Sequence, residues 1–179
     1  PGANMMSIKL LFTPGEGKVL GAQIVGYDGV DKRIDVIATA IRAGLTVFDL
    51  QELELAYAPP FSSAKDPVNM IAYVASNIIR KDIEVIYWQD VAAKVSAGSF
   101  LIDVRTNAET ERGMVEGAHH ISVDEMRQHL DDIPKDKEIL LYCQVGLRSY
   151  IATRILRQHG FNAKNISGGY TLYSAIKNQ

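Results

Sequence analysis

Cysteine is almost missing from this chain, which has one, Cys143, in 179 residues. A single cysteine excludes an internal disulfide framework and any Cys-x-x-Cys redox or zinc motif. The four histidines (His119, His120, His129 and His159) do not fall at a metal-binding spacing, so we expect no metal site. What remains is one thiol, whose chemistry depends on its surroundings.

An excess of charge of one sign and a long apolar run are also missing. Lys and Arg number 19 against 21 Asp and Glu, a net charge of −2, so no overall field favours nucleic acid or an anionic membrane. No apolar run approaches the roughly 18–20 residues of a membrane span and no secretory signal is visible, so the cytoplasm is the expected location. The length allows one domain or two small ones. The start at Pro1 instead of methionine suggests a piece of a longer protein.

The stretch around Cys143 changes character twice. Residues 139–142 are apolar on both faces and few in number, which predicts a buried strand. From Ser149 onward, apolar residues recur at helical spacing until Gly160 supplies a stop. Cys143 is therefore expected on a loop between the carboxyl end of a strand and the amino terminus of a helix, where α/β proteins bind ligands.

That position favours an anionic sulfur. The helix dipole, the loop N–H groups and the cation Arg148 all lower a thiol pKa, and Gly146 lets the loop curl so that its amides point inward. We also expect Arg148 to bond loop carbonyls. Such a thiolate is a nucleophile that can carry a second sulfur as a persulfide. The alternative is a plain buried cysteine, which packs as a small hydrophobe.

Three motifs resemble those of the rhodanese sulfurtransferases. The loop Cys143-Gln-Val-Gly146-Leu-Arg148 is similar to the family's active-site pattern Cys-x-x-Gly-x-Arg. Its flanks are similar as well: Leu101-Ile-Asp-Val-Arg105, Glu109 and Val115-Glu-Gly-Ala-His-His-Ile121 upstream, and Asn165-Ile-Ser-Gly-Gly-Tyr170 downstream. His120 departs from the family, which more often has asparagine there, and we expect no effect on the chemistry. Cysteine phosphatases instead use Cys-x5-Arg, a longer loop that suits a larger anion than a terminal sulfur.

The rhodanese resemblance implies a role for each site residue. Cys143 is the nucleophile and Arg148 orders the loop and balances charge, while the amides of the loop hold the persulfide anion. The loop residues are Gln144, Val145, Gly146, Leu147 and Ser149. Asp103 and Arg105 brace that loop; the alternative for them is an exposed ion pair worth ~0–1 kcal/mol. The implied sulfur donor is thiosulfate or a low-molecular persulfide, and the acceptor is a thiol or cyanide.

The first part of the chain predicts a hairpin followed by three helices. Residues 8–25 are two apolar runs around Gly15-x-Gly17-Lys18, whose spacing is wrong for a phosphate-binding loop and favours a hairpin turn. Asp31, Thr46 and Asp66 are the expected caps of the helices, with Pro67 at the first position of the third. The predicted apolar faces are Ile34, Ile37, Ala38, Ile41 and Leu45 on the first helix, and Ile71, Val74, Ala75 and Ile78 on the third.

A proline-containing segment precedes the third helix. Pro59 and Pro60 stiffen an extended stretch that is neither helix nor central strand. Tyr57 and Phe61 beside them are either packed inside or exposed as a contact surface, and residue types alone favour packing.

Residues 17–26, 31–35 and 57–62 resemble the dimerisation domain of the pyridine nucleotide–disulfide oxidoreductases, in their coenzyme A–disulfide reductase branch. The resemblance implies that Tyr57, Pro59, Pro60 and Phe61 reach the partner subunit's flavin and coenzyme A site, which favours a contact role for Tyr57. The family's FAD and NAD(P)H domains are absent from this sequence. This fragment is therefore expected to bind no cofactor, and FAD, NAD(P)H and coenzyme A are implied for a full-length parent. Some family members carry a rhodanese domain after the dimerisation domain, in the order seen here.

The second part of the chain alternates predicted strands and helices. Strands are expected over 83–88, 100–104 and 119–122; the helices between and after them are one capped by Asp90, a polar one marked by Glu109, Glu111 and Arg112, and one over Asp124–Leu130. Such alternation predicts a mostly parallel sheet covered on both faces. The charged run at 80–82 is the expected boundary, which gives a small α+β dimerisation domain over 1–82 and an α/β rhodanese-like domain over 83–179.

The expected function is sulfur transfer through a persulfide on Cys143. In the full-length parent it would be coupled to FAD- and NAD(P)H-dependent reduction of coenzyme A disulfide, coenzyme A persulfide or polysulfide. Two alternatives stay open: a non-catalytic rhodanese fold that binds or regulates, although such folds usually lack the cysteine, and a structural dimerisation fragment. Residues 1 to about 80 are expected to form a symmetric homodimer, because a two-stranded hairpin cannot cover the apolar faces of its helices.

Overall fold

The chain divides into two compact units, Pro1–Lys81 and Asp82–Gln179, in a computed structural model that describes residues 4–59, 62 and 64–177. The first unit holds a two-stranded antiparallel sheet and the second a five-stranded parallel sheet. The mixed α/β class predicted from the sequence is confirmed. No helix in the described ranges is long and apolar enough to cross a membrane.

In the first unit, strands β1 (Met6–Phe12) and β2 (Val19–Gly26) form the predicted hairpin. The backbone N–H of Thr13 donates to the carbonyl of Lys18 at 2.9 Å, and Gly15 and Gly17 supply the positive φ angles of the turn, 83° and 73°. A left-handed backbone of this kind favours glycine. Residues 15–18 therefore close a hairpin and do not form a phosphate-binding loop.

Three helices pack against this hairpin: α1 (Val30–Ala43), α2 (Val47–Glu52) and α3 (Pro67–Ile79). Two of the predicted caps are confirmed. Thr46 accepts a hydrogen bond from the Asp49 N–H in a capping box, and Asp66 accepts one from the Val68 N–H. The predicted cap at Asp31 is wrong, because α1 begins at Val30, directly after Gly29 with a φ of 64°, and Asp31 lies inside its first turn.

The core of the first unit lies between β2 and the three helices. It is made of Val19, Ile37, Ala40, Val47, Leu50, Val68, Ala72 and Ala75. The predicted apolar faces are wrong at two positions: Ala38 is exposed, and Val74 is 48% exposed. Ala40 on α1 and Ala72 on α3, which were not among the predicted residues, are buried instead, at 2% and 0% exposed.

In the second unit, five parallel strands lie in the order β3, β7, β6, β4, β5. Their bounds are β3 (Val85–Ile86), β4 (Phe100–Asp103), β5 (His119–His120), β6 (Glu138–Tyr142) and β7 (Asn162–Ile166). Strand β6 is central, and all four residues from Ile139 to Tyr142 are 0% exposed. The predicted parallel sheet is confirmed, with the run before Cys143 as its buried middle strand.

Helices cover both faces of this sheet. They are α4 (Trp88–Ser96), α5 (Asn107–Thr110), α6 (Leu147–Gln158) and α7 (Gly169–Lys177), and a 3-10 helix spans Leu130–Asp132. Ile139 and Leu141 pack in one apolar cluster with residues of α6, whereas Leu140 and Tyr142 pack in another with residues of α4. Alternate residues of β6 thus face opposite layers.

Three predicted helix assignments in the second unit are wrong: the cap at Asp90, the extent of the polar helix, and the helix over Asp124–Leu130. Helix α4 begins at Trp88, whose indole N–H donates to the carbonyl of Gly169 at 2.9 Å, so Asp90 lies in the first turn and caps nothing. The polar helix ends at Thr110, before Glu111 and Arg112.

The predicted helix over Asp124–Leu130 is a series of turns. Its entry is tied to β4 by hydrogen bonds from the N–H groups of Ile121 and Val123 to the carbonyls of Asp103 and Val104. Beyond this point the backbone hydrogen bonds join residues three apart, as in turns, instead of four apart as in an α-helix. Among residues 124–130, only Met126 is buried. Tertiary pairing overrides a local helical pattern here.

Candidate active site

Cys143 directly follows the central strand β6 and is 1% exposed. Helix α6 begins at Leu147, after Gly146 with a φ of 132°. The sulfur therefore lies in a four-residue loop at the carboxyl end of the sheet, at the amino terminus of a helix. This is where unpaired N–H groups and the positive end of the helix dipole meet.

Two groups lie within donor distance of the sulfur. The backbone N–H of Gly146 lies 3.1 Å from Sγ of Cys143, and the hydroxyl of Ser149 lies 3.5 Å from it and 3.0 Å from the Gly146 carbonyl oxygen, so its one proton is shared between these two acceptors. Burial, the largest single influence, raises the pKa of the Cys143 thiol, but hydrogen bonds from the Ser149 side chain and from the N–H groups of Ser149, Gly146 and Val145 outweigh it and leave the pKa lowered. The loop thus favours a thiolate despite its burial.

The guanidinium of Arg148 is held by a carboxylate from another element. Its two terminal nitrogens donate to the two oxygens of Glu109, each at 2.6 Å. The prediction that Arg148 bonds loop carbonyls is wrong: among the described residues, its terminal nitrogens hydrogen-bond to Glu109 instead. The ion pair raises the pKa of Arg148, with a further contribution from Cys143.

Glu109 is itself fixed by the start of helix α5. Its Oε2 accepts hydrogen bonds from the N–H and hydroxyl of Thr106 at 3.0 and 2.8 Å, in a capping box. Hydrogen bonds from Arg148 first, and then from Thr106, hold the pKa of Glu109 well below its usual range despite partial burial. A short helix after β4 therefore presents a permanent anion to the arginine of the loop.

Asp103 and Arg105 form a buried ion pair behind the loop. Nη2 of Arg105 lies 2.6 Å from Oδ2 of Asp103, and the two side chains are 2% and 0% exposed. The exposed ion pair considered as an alternative is therefore excluded. Arg105 also donates to the Gly113 carbonyl at 2.7 Å and to Oε1 of Gln144 at 3.4 Å. Its guanidinium lies 3.9 Å from the centre of the Tyr170 ring, so it links β4 to both the loop and α7.

The amino terminus of α7 holds the other side of the loop through two backbone hydrogen bonds. The N–H of Tyr170 donates to the Cys143 carbonyl at 2.8 Å, and the N–H of Thr171 donates to the Gln144 carbonyl at 3.0 Å. Gly169 lies so close that a Cβ there would sit 2.5 Å from the Cys143 carbonyl oxygen. The resemblance of the Gly168-Gly169 turn to the rhodanese motif does not by itself predict this role in holding the loop.

The remaining predicted residues lie at the surface. Val145 and Leu147 are 49% and 64% exposed, while Gln144 donates to the Thr171 hydroxyl at 2.9 Å. In the first unit Tyr57 is 55% exposed, so it is not packed inside that unit, and Pro59 is exposed too. Pro60 and Phe61 fall outside the described residues.

A cavity of about 350 Å³ lies beside Arg148 in the second unit. Helix α6 contributes Arg148, Ile151 and Ile155 to its wall. The rest of the wall comes from Thr106 and from Ser122, Val123, Asp124 and Arg127 in the turns after β5. Over the described ranges, His, Cys, Asp and Glu side chains form no group of three or more that would hold a metal ion.

Two family models match the chain. Residues 88–176 match the rhodanese-like domain, and residues 1–67 match the dimerisation domain of the pyridine nucleotide-disulphide oxidoreductases. The chain therefore combines a domain of each family, in the order that its sequence motifs indicate.

Two solved structures are similar to this chain over almost its whole length. The crystal structure of reduced Bacillus anthracis CoADR-RHD is 49% identical and covers 99% of this chain and 32% of its own, with a TM-score of 0.97. An NAD-dependent persulfide reductase from A. fulgidus is 44% identical and covers 94% of this chain and 30% of its own, with a TM-score of 0.82.

Part of the chain is also similar to curated sequences named coenzyme A disulfide reductase. A coenzyme A disulfide reductase from Staphylococcus aureus is 45% identical over 75 residues, which are 42% of this chain and 17% of the relative. The chain thus spans only a part of each of these relatives.

Proposed function

We propose that residues 83–179 are a sulfurtransferase domain in which Cys143 carries sulfur as a persulfide. The observation that supports this most directly is the pair of donors on Sγ of Cys143, the Gly146 N–H at 3.1 Å and the Ser149 hydroxyl at 3.5 Å. Hydrogen bonds to sulfur favour the anion over the neutral thiol. A persulfide is likewise anionic at its outer sulfur, so a loop with these donors suits both states.

The first half-reaction loads the cysteine. The Cys143 thiolate attacks the outer sulfur of thiosulfate or of a low-molecular persulfide; a new S–S bond forms, the donor's S–S bond breaks, and sulfite or a thiolate leaves with the electron pair. In the second half-reaction cyanide or a thiolate attacks the outer sulfur and returns the electron pair to Cys143. No external oxidant or reductant is needed, because the electron pairs balance within each exchange.

Arg148 is proposed to order the loop and balance the charge that the sulfur gains. Glu109 fixes the position of its guanidinium through two hydrogen bonds of 2.6 Å, so the cation needs no rearrangement when the persulfide forms. Asp103, Arg105 and the amino terminus of α7 hold the loop from behind. The exposed side chains of Val145 and Leu147 are left to contact the donor or acceptor.

Residues 1–82 are proposed to be the dimerisation domain of a longer flavoprotein. The names of the relatives, coenzyme A disulfide reductase and NAD-dependent persulfide reductase, support a parent that reduces coenzyme A disulfide, coenzyme A persulfide or polysulfide with FAD and NAD(P)H. This unit's glycine-rich turn at 15–18 closes a hairpin and does not fit a nucleotide phosphate, so we assign it no FAD or NAD(P)H site. The exposed Tyr57 is proposed to contribute to the partner subunit's site.

Intact mass after thiosulfate treatment tests the sulfurtransferase assignment. Wild-type protein is expected to gain one sulfur atom, to lose it on addition of cyanide, and to release thiocyanate. Cys143→Ser is the control: the swap is nearly isosteric, but serine forms no persulfide, so transfer should fall at least about 1,000-fold with an unchanged circular dichroism spectrum. An unchanged wild-type mass, or a serine variant that still transfers sulfur, would overturn the assignment.

A further inference from the structure

The cavity beside Arg148 is larger than thiosulfate requires. Its volume of about 350 Å³ falls in the range of roughly 300–1,000 Å³ that is typical of pockets for small organic ligands. Arg148 lines this cavity, and the next residue, Ser149, places its hydroxyl 3.5 Å from Sγ of Cys143. The cavity wall therefore adjoins the segment that holds the reacting sulfur.

The charges on the cavity wall are of two kinds. Arg148 is neutralised by Glu109 through two hydrogen bonds of 2.6 Å. Asp124 and Arg127 also line the cavity, but within the described part of the chain neither side chain has an ion pair or a hydrogen bond, even to the other. The cavity thus presents one unpaired carboxylate and one unpaired guanidinium.

These two groups lie on a braced segment. The N–H of Glu125 donates to the Ser122 carbonyl at 3.0 Å, and the N–H of Gln128 donates to the Glu125 carbonyl at 2.8 Å. Buried Met126 anchors the same turns. The turn hydrogen bonds therefore fix the backbone positions of Asp124 and Arg127, which are three residues apart. Their side chains form no ion pair with each other.

We propose that this cavity binds the α-amino acid group of a zwitterionic thiol or persulfide, with its carboxylate on Arg127 and its ammonium on Asp124. A guanidinium binds a carboxylate through two parallel N–H bonds, and a carboxylate accepts directly from an ammonium. The apolar wall at Ile151 and Ile155 suits the carbon chain between the charges and the sulfur. This inference rests on the proposed sulfurtransferase function and names its substrate class.

As an acceptor, such a thiol takes sulfur in a balanced step. Its thiolate attacks the outer sulfur of the Cys143 persulfide, the bond between the two sulfurs of the enzyme persulfide breaks, and the electron pair returns to Cys143. The product is a persulfide of the amino acid type, and the proton of the thiol goes to solvent. The reverse step makes the same molecule a donor.

A matched set of thiols separates the two charges. Cysteine carries both groups, 3-mercaptopropionate lacks the ammonium and cysteamine lacks the carboxylate. Transfer from thiosulfate is measured with each acceptor, and kcat/KM is expressed relative to 2-mercaptoethanol, which has neither charge. Arg127→Gln should lower this ratio about tenfold for cysteine and 3-mercaptopropionate and leave it unchanged for cysteamine. Asp124→Asn should lower it for cysteine and cysteamine and leave it unchanged for 3-mercaptopropionate.

Two neighbouring charges serve as controls. Arg112 and Glu125 are exposed residues of the same unit that do not line the cavity, so Arg112→Gln and Glu125→Gln should leave every ratio unchanged. The losses should also persist partly at high salt, since direct contacts are screened less than distant charges. A comparison of cysteine with glutathione identifies whether the amino acid group comes from a free amino acid or a short peptide.

Ratios for Arg127→Gln and Asp124→Asn that match the wild type would overturn the inference while leaving the sulfurtransferase assignment intact. Equal losses with all charged acceptors, irrespective of which group each one lacks, would also overturn it, because specific pairing predicts a crossed pattern. A wild-type protein that gains no sulfur from thiosulfate would instead refute the proposed function itself, and the inference with it.

Discussion

Arg148 and Glu109 lie 39 positions apart in the sequence and are joined by two hydrogen bonds of 2.6 Å. Each side chain is less than a third exposed. The pair ties the loop after β6 to the short helix after β4. The arginine of the Cys-x-x-Gly-x-Arg loop is therefore held by a residue outside the loop motif.

This ion pair predicts that removing either partner slows sulfur transfer. Arg148→Ala should lower kcat/KM with thiosulfate and cyanide about 100-fold, because it deletes the cation that we propose balances the charge on the sulfur. Glu109→Gln keeps the shape but releases the guanidinium, and about a tenfold loss is expected from weakening a charged hydrogen bond. Glu111→Gln changes a neighbouring exposed carboxylate and should be neutral. A full rate for Glu109→Gln would show that Arg148 needs no partner.

The pH dependence of persulfide formation should reflect the lowered pKa of Cys143. Since the folded protein favours the thiolate, the rate should stay high as the pH falls below about 8.5, the value of an ordinary thiol, and decline only as the pH passes through the lowered pKa. Ser149→Ala removes the largest influence that lowers this pKa, so its profile should shift to higher pH. Thiolate absorbance in the ultraviolet, followed as a function of pH, gives the pKa of Cys143 in the wild type and in Ser149→Ala. Ser96→Ala is the control. Coincident profiles would contradict the assignment of Ser149.

Gly169→Ala should destabilise the second unit and displace the loop. Gly169 has a φ of 56°, and the added Cβ would lie 2.5 Å from the Cys143 carbonyl oxygen. Backbone strain of this kind costs about 1–3 kcal/mol, and the clash adds to it. Gly160→Ala is the matched control, with a φ of 83° and no atom within 4 Å of the new Cβ. Thermal unfolding and transfer rates of the two variants should differ; equal values would mean that the close approach has no consequence.

The first unit should form a symmetric homodimer through its exposed apolar residues. On α3, Met70, Tyr73 and Val74 are 43%, 37% and 48% exposed, and their i, i+3, i+4 spacing puts them together on one face of the helix as a contiguous apolar patch. Light scattering at micromolar concentration should give the dimer mass. Val74→Glu should shift it towards the monomer, whereas Lys32→Glu on the exposed side of α1 should not. A stable wild-type monomer would refute the dimer.

The sequence was informative where a local pattern and the tertiary structure agree. The run from Ile139 to Tyr142 is short and apolar on both faces, and it forms the middle of the sheet with Cys143 at its end. Asp66 before Pro67 caps a helix because both residues satisfy the same local geometry. Family motifs then connected the loop to its two flanks, which composition alone would not have done.

The misses have a common cause, which is contact between residues distant in the chain. The partner of Arg148 lies on another helix, so no pattern within the loop identifies Glu109. Asp90 is not a cap because helix α4 already begins at Trp88, two residues earlier. The indole N–H of Trp88 donates to the carbonyl of Gly169, which is 81 residues away in the chain. Residues 124–130 carry an amphipathic pattern, but the backbone just before them is hydrogen-bonded to residues 103 and 104, and the segment forms turns instead of a helix.

The hydrogen bonds from α7 to the carbonyls of Cys143 and Gln144 have a consequence for synthesis of the chain. Strand β7 separates β3 from β6, and Tyr170 and Thr171 supply the N–H groups that hold the loop. While residues 162–171 are still inside the ribosome, the loop lacks these bonds and β6 lacks one of its two neighbours. The carbonyls of Cys143 and Gln144 are therefore held only after this later segment has emerged and folded, so the loop around the thiol reaches its final geometry late in synthesis.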